Sequence, residues 1–153
     1  MDAKLINPFV DATVKVLETM AFTKARAGKP YLKKDEVALG DVSGILGLTG
    51  EANCTISVSF ARQSILPIVS NMFGEKMEEL NDEIRDAVGE ITNMISGQAR
   101  KELAELGRSL QAAIPIVIMG ENHTITHVSR HTVTAIPFST DSGDFTVEVC
   151  FED

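Results

Sequence analysis

The sequence predicts an α/β protein of the α+β, sandwich-like kind. Two pseudo-symmetric halves, each a helix followed by strands, place their helices on a mainly antiparallel sheet. Three observations lead there. Val10, Val14, Leu17 and Met20 recur at helical spacing near the start, and a longer helical pattern fills residues 82–106. Residues 42–60 and 133–151 both read as hairpins rich in β-branched residues. The two hairpins also resemble each other.

The chain has 153 residues, 44% hydrophobic and 24% charged. That suits one domain, residues 1–153, with a real core. Twenty-two acidic residues against fourteen basic ones give a formal charge of −8. Such a surface repels phosphate backbones and anionic lipid, which argues against nucleic-acid or membrane partners. The longest apolar run, residues 112–119, contains Pro115 and is too short to span a bilayer. The opening residues lack a secretory layout, so the expected compartment is the cytoplasm. Cys54 and Cys150 sit in apolar, strand-like runs. They read as reduced core thiols, with a disulfide as the alternative.

Asn7-Pro8 suits a helix N-cap followed by its first residue, and that helix should end near Ala21. Residues 31–39 read as a strand. Residues 42–49 and 54–60 form a hairpin turned by Gly50-Glu51-Ala52-Asn53. A helix over residues 64–73 has Pro67 in its first turn and stops at Gly74. Asn81 caps the long helix, Asp82 and Glu83 complement its dipole, and Gly107 closes it. Strands follow at residues 114–119, 124–140 with a break, and 145–151, the last two joined by Asp141-Ser142-Gly143-Asp144.

An ungapped alignment of residues 42–60 with 133–151 pairs Val42 with Val133, Ile45 with Ile136 and Thr49 with Thr140. It also pairs Thr55 with Thr146, Val58 with Val149 and Phe60 with Phe151. A weaker match sets Met20 of the first helix opposite Met94 of the long one.

At 100° per residue, Ile84, Ala87, Val88, Ile91, Met94 and Ile95 share an arc of about 120°, the buried stripe. Asp86, Asn93 and Gly97 lie opposite it. Glu90 is four residues from Asp86 and three from Asn93, so these side chains are neighbours on the surface. Gly89 and Gly97 each cost about 1 kcal/mol relative to Ala in a helix interior. Close approach of a partner backbone to this face would account for both. On pattern alone, an ordinary solvated face would look the same.

The segment 86–94, Asp-Ala-Val-Gly-Glu-Ile-Thr-Asn-Met, resembles the signature helix of the CheX, CheC and FliY phosphatases of bacterial two-component signalling. Residues 95–99 extend the match, and residues 40–45, 71–75 and 115–120 resemble other family segments. The resemblance implies a phosphatase acting on the phosphoryl-aspartate of a phosphorylated CheY-like response regulator, in chemotaxis or a related pathway. Asn93 would hold the attacking water and Glu90 would pair with the partner's active-site Lys. Asp86, Gly89 and Gly97 would contact the partner. The chain needs no cofactor of its own in this reading, since the Mg²⁺ sits on the partner receiver. Val16 and Thr19 of the first helix stand opposite Glu90 and Asn93, so one site per chain is expected, in a CheX-like homodimer.

Other constellations carry less. His123, His127 and His131 are spaced by four, but a strand would spread them about 13 Å apart, too far for one ion. No serine has the setting of a hydrolase elbow. The four glycines of residues 40–50 lack a following Gly-Lys-Ser/Thr. Two further functions compete with the phosphatase. One is a non-catalytic receiver-binding or flagellar-switch-like module of the same fold. The other is a small-molecule sensor, which would need an enclosed apolar pocket.

Overall fold

Helix α1 (Ala3–Ala21) leads into two short strands, β1 (Arg26–Ala27) and β2 (Tyr31–Leu32). A hairpin follows, β3 (Val42–Gly50) and β4 (Asn53–Phe60). Helices α2 (Arg62–Phe73) and α3 (Asp82–Glu105) come next. Strands β5 (Leu110–Ala112), β6 (Ile116–Met119), β7 (Val133–Thr140) and β8 (Gly143–Glu152) complete the chain. This is a computed structural model that describes residues 3–35, 37–120, 123–127 and 133–152. All eight strands join one antiparallel sheet, in the order β1-β7-β8-β4-β3-β5 with β2 on β7 and β6 on β3. The three helices pack on it, so the fold is α+β. No helix among the described residues is long and apolar enough to cross a membrane.

The two hairpins meet through β4 and β8, from Asn53↔Glu152 to Phe60↔Phe145. Each half lends its short strands to the other half's hairpin. Tyr31 pairs with Ala135 as Ile116 pairs with Ile45. The Gly28 amide donates to the Pro137 carbonyl as the Ala113 amide donates to Gly47. The internal repeat is therefore present, but the ungapped alignment fails in its first strands. Leu48↔Cys54 encloses five residues, whereas Thr140↔Gly143 encloses two. The odd difference shifts β3 by one residue relative to β7, and a shift of one exchanges the two faces of a strand. Ile136 lies in the core, while Ile45 is on the other face; Leu46 is the core counterpart. In the second strands Val58 and Phe60 match Val149 and Phe151 in the core, as aligned.

Both early helices begin sooner than expected and carry a proline inside, Pro8 in α1 and Pro67 in α2. Proline's fixed φ is helical, so each costs a hydrogen bond without breaking the helix. Burial of Ile6, Phe9, Ile65 and Ile68 around them favours the longer helices. The end of α2 has no cap from its own N-cap residue, Ala61. Asp41 serves instead, its carboxylate accepting from the Arg62 amide at 2.8 Å. Gly74, with φ of 70°, closes that helix as expected.

The core lies between helices and sheet. Phe60, Phe138 and Phe145 cluster there, the last two stacked at 5.0 Å. Where α3 crosses β3, Gly44 has no room for a side chain: a Cβ would lie 2.0 Å from Thr92 Oγ1. Cys54 and Cys150 are buried thiols on neighbouring strands, and burial pushes the Cys54 thiol up.

The opposite face of the sheet is polar and is covered by chain rather than helix. Beyond Lys33, whose amide still donates to the Val133 carbonyl, the described residues up to 39 do not continue the strand. Lys33 reaches Glu148 on β8 at 2.9 Å, and His127 reaches the other carboxylate oxygen at 3.2 Å. The Ala38 amide donates to His123, and His123 Nε2 lies 2.6 Å from Ser43 Oγ. Residues 124–127 are therefore not a strand, apart from the bridge between Thr124 and Val37. Their histidines are engaged with the sheet, while His131 lies outside the described residues. Burial alone would raise the Glu148 pKa, but the hydrogen bonds and charges of His127 and Lys33 outweigh it and hold the carboxyl below its ordinary value.

Two expectations follow. G44A should destabilise the protein by about 1–3 kcal/mol, the usual cost of overpacking. Urea unfolding should also find part of that loss recovered in G44A/T92A, where the obstructing hydroxyl is gone. For Glu148 the folded pKa is depressed, so its contribution is present above the ordinary carboxylate value of 4.5 and is lost as pH falls through the folded one. E148Q should remove that acid-dependent component and cost about 3–5 kcal/mol at neutral pH by leaving Lys33 buried without its anion. Unfolding free energies measured between pH 3 and 7 for both proteins test this.

Candidate functional site on helix α3

Helix α3 is oriented by its buried side. Ile84, Val88, Ile91, Ile95, Ala99 and Leu103 are all almost wholly buried. Asn81 Oδ1 accepts from the Ile84 amide at 3.1 Å and fixes where the helix begins. Thr92 belongs to the buried side too, its hydroxyl donating to the Val88 carbonyl and its body resting on Gly44. Met94, expected in the stripe, is only partly buried at its edge.

This orientation turns Asp86, Glu90 and Asn93 to the surface, and all three are exposed. They line one groove with Arg85, Gly89, Pro115 and Val117, between α3 and β6, with a volume of about 380 Å³. A Cβ on Gly89 would meet Val117 at 3.5 Å, so this glycine opens the floor of the groove. Gly97 is half-buried, one turn beyond Asn93, and a Cβ there would meet only Arg100 at 3.9 Å. The structure thus brings Asp86, Gly89, Glu90 and Asn93 together, while Gly97 flanks them. None of Asp86, Glu90 and Asn93 makes a hydrogen bond or ion pair with another described side chain, so their donors and acceptors face solvent. No group of three or more His, Cys, Asp or Glu is gathered for a metal among the described residues.

Arg85, Pro115 and Val117 were not picked out from sequence as site residues. Residues 115–120 carried a signal as a familiar segment, but nothing in the chain's spacing says that β6 borders α3. Arg85 stood on the flank of the helix, between the buried stripe and the polar face.

The comparison of helices also changes. Thr13 in α1 is buried and donates to the carbonyl four residues back, as Thr92 does in α3. Aligning these two places the buried Phe9, Ala12 and Val16 on the buried Val88, Ile91 and Ile95. Val16 therefore cannot correspond to the exposed Glu90. The counterparts of Asp86, Glu90 and Asn93 are Asn7, Asp11 and Val14.

An α+β domain of two hairpin halves, with an amide and two carboxylates on the exposed face of a helix beside a sheet edge, defines the class of protein. The family described as chemotaxis phosphatase CheX matches residues 42–139, which include all three side chains. The chain belongs to that family. The crystal structure of a chemotaxis protein CheX from Desulfovibrio desulfuricans is 51% identical, covers 97% of this chain and 99% of its own, and has a TM-score of 0.90. The CheY-P phosphatase CheX of Thermotoga maritima is 24% identical over 123 residues, 80% of this chain and 79% of that protein. The crystal structure of the CheX-CheY-BeF3-Mg²⁺ complex from Borrelia burgdorferi is also similar, at 26% identity and a TM-score of 0.83, with 97% of each chain covered.

Proposed function

We propose that this protein hydrolyses the phosphoryl-aspartate of a CheY-like response regulator, with Asn93 and Glu90 at the working end of α3. The observation that carries the reading is the exposed, uncommitted Asn93 beside Glu90, in a chain of the chemotaxis phosphatase CheX family. The relatives from Thermotoga maritima and Borrelia burgdorferi, a CheY-P phosphatase and a CheY complex, supply the substrate class.

An acyl phosphate is already activated, so the enzyme needs positioning and electrostatics more than a nucleophile. Water attacks phosphorus, the bond from phosphorus to the aspartyl oxygen breaks, and the products are a carboxylate and inorganic phosphate. The attacking water's proton leaves with phosphate or solvent. Asn93 both donates and accepts, so it can hold the water in line without adding negative charge beside the phosphate. Glu90 pairs with the receiver's active-site Lys. Asp86 is an accessory contact, and Gly89 and Gly97 let the partner's backbone approach. Mg²⁺ belongs to the receiver. Val14, the counterpart of Asn93 on α1, has no amide, which supports one site per chain.

The protein works in this reading as a cytoplasmic homodimer. Light scattering at micromolar concentration should give twice the chain mass of 16.6 kDa, and a monomer would remove the dimer.

Asn93 and Glu90 should divide the work. A contact made equally to ground and transition states affects binding, whereas one made in the transition state affects kcat. N93A should keep receiver affinity within a few-fold and lower the saturating rate by roughly 10²-fold or more. E90A should weaken binding by about 1–3 kcal/mol if docking desolvates the pair, and by less if it remains wet. Single-turnover dephosphorylation beside a binding titration measures both. Near-normal turnover by N93A would leave a non-catalytic receiver-binding module as the better reading.

A further inference from the structure

We propose that Arg85 is a second anchor of the docking groove, gripping a carboxylate on the receiver's surface away from the phosphoryl group and so fixing which way round the partner sits. This rests on the receiver-phosphatase reading above. Arg85 lines the same groove as Asp86, Glu90 and Asn93 and is exposed. It makes no ion pair with another described residue, although Asp82 lies three residues before it on the helix. The guanidinium keeps its fork of donors for a planar anion.

Distance decides which anion. Arg85 and Asn93 are eight residues apart, about 12 Å along the helix axis. With Asn93 at the phosphoryl group, Arg85 stands at the far end of the groove, over the rim of the partner's site. The fitting group there is an Asp or Glu side chain. Asp86 and Glu90 lie between the two ends and favour cations. The face therefore reads cation, anions, amide along its length, an asymmetric pattern that a partner can satisfy in one orientation. Electrostatic patterns of this kind fix register and discriminate between partners.

The counterpart groove on α1 supports the assignment. Between α1 and β2, the register set by Thr13 and Thr92 puts Ile6, which is buried in the core, opposite Arg85 and Asn7 opposite Asp86, beside Pro30, Tyr31 and Leu32. None of the residues lining that groove is charged. The position of Arg85 is therefore charged on the α3 side alone, whereas Asp11 keeps a carboxylate at the counterpart of Glu90.

The test uses the full-length protein and its phosphorylated receiver. R85A should raise KM several-fold at low salt and flatten its salt dependence, with kcat within twofold. R85E should raise KM tenfold or more, and R85K should recover part of the affinity. Replacing the receiver's surface carboxylates singly by Lys should restore tight docking to R85E at one position. Unchanged KM in R85E, while N93A still lowers the saturating rate by roughly 10²-fold or more, overturns the anchor and leaves the phosphatase reading intact. A fall in kcat at constant KM also overturns it, by placing Arg85 at the chemistry. If the wild-type protein dephosphorylates none of the organism's receivers, the phosphatase reading falls and the anchor with it.

Discussion

The absence of a side chain at Gly44 sets how close α3 comes to the sheet. Thr92 occupies the space a Cβ would need, and its own hydroxyl is satisfied by the helix backbone. With that contact fixed, the rotation of α3 about its axis is fixed too. The residues on the far side, Asp86, Glu90 and Asn93, then have a defined direction over β6. A catalytic group that works by holding water depends on placement within fractions of an ångström. In the proposed mechanism the placement of Asn93 rests on Gly44 of β3 and on Thr92, the residue next to it on the helix.

Much of this was legible in the sequence, for identifiable reasons. The long helix and its exposed face follow from a strong apolar period and from Asn81, whose capping role the structure bears out. The two hairpins follow from β-branched runs around turn residues. What escaped was information held between distant segments. Thr92 is polar, so periodicity excluded it from the core, although its partner is a glycine in another element. The one-residue difference between the hairpin turns is invisible without the register, and it misassigned Ile45. Local rules place Pro8 at the start of α1 and Pro67 in the first turn of α2, whereas burial around them extends both helices. The strap across the outer face follows Lys33 and His127 to Glu148, a pairing over more than a hundred residues for Lys33, which no local pattern encodes.

The pseudo-symmetry separates what the fold requires from what the proposed function would use. Both helices keep a buried threonine in the same position, and both short-strand pairs make equivalent contacts. Those features recur because each hairpin needs a helix over it and an edge strand beside it. The exposed faces share no such demand and have diverged: Asn7, Asp11 and Val14 on one helix, Asp86, Glu90 and Asn93 on the other.

The exchange of short strands between halves has a consequence for how the chain acquires its structure. β1 and β2 emerge early in synthesis, yet both pair with β7, more than a hundred residues later. The central β4–β8 ladder likewise waits for the last strand. Non-local pairings of this kind slow folding, because loop closure precedes the contacts that reward it. The nascent N-terminal half therefore carries an uncovered β4 edge until the C-terminal hairpin arrives. That interval is when unpaired strands are open to association with other chains.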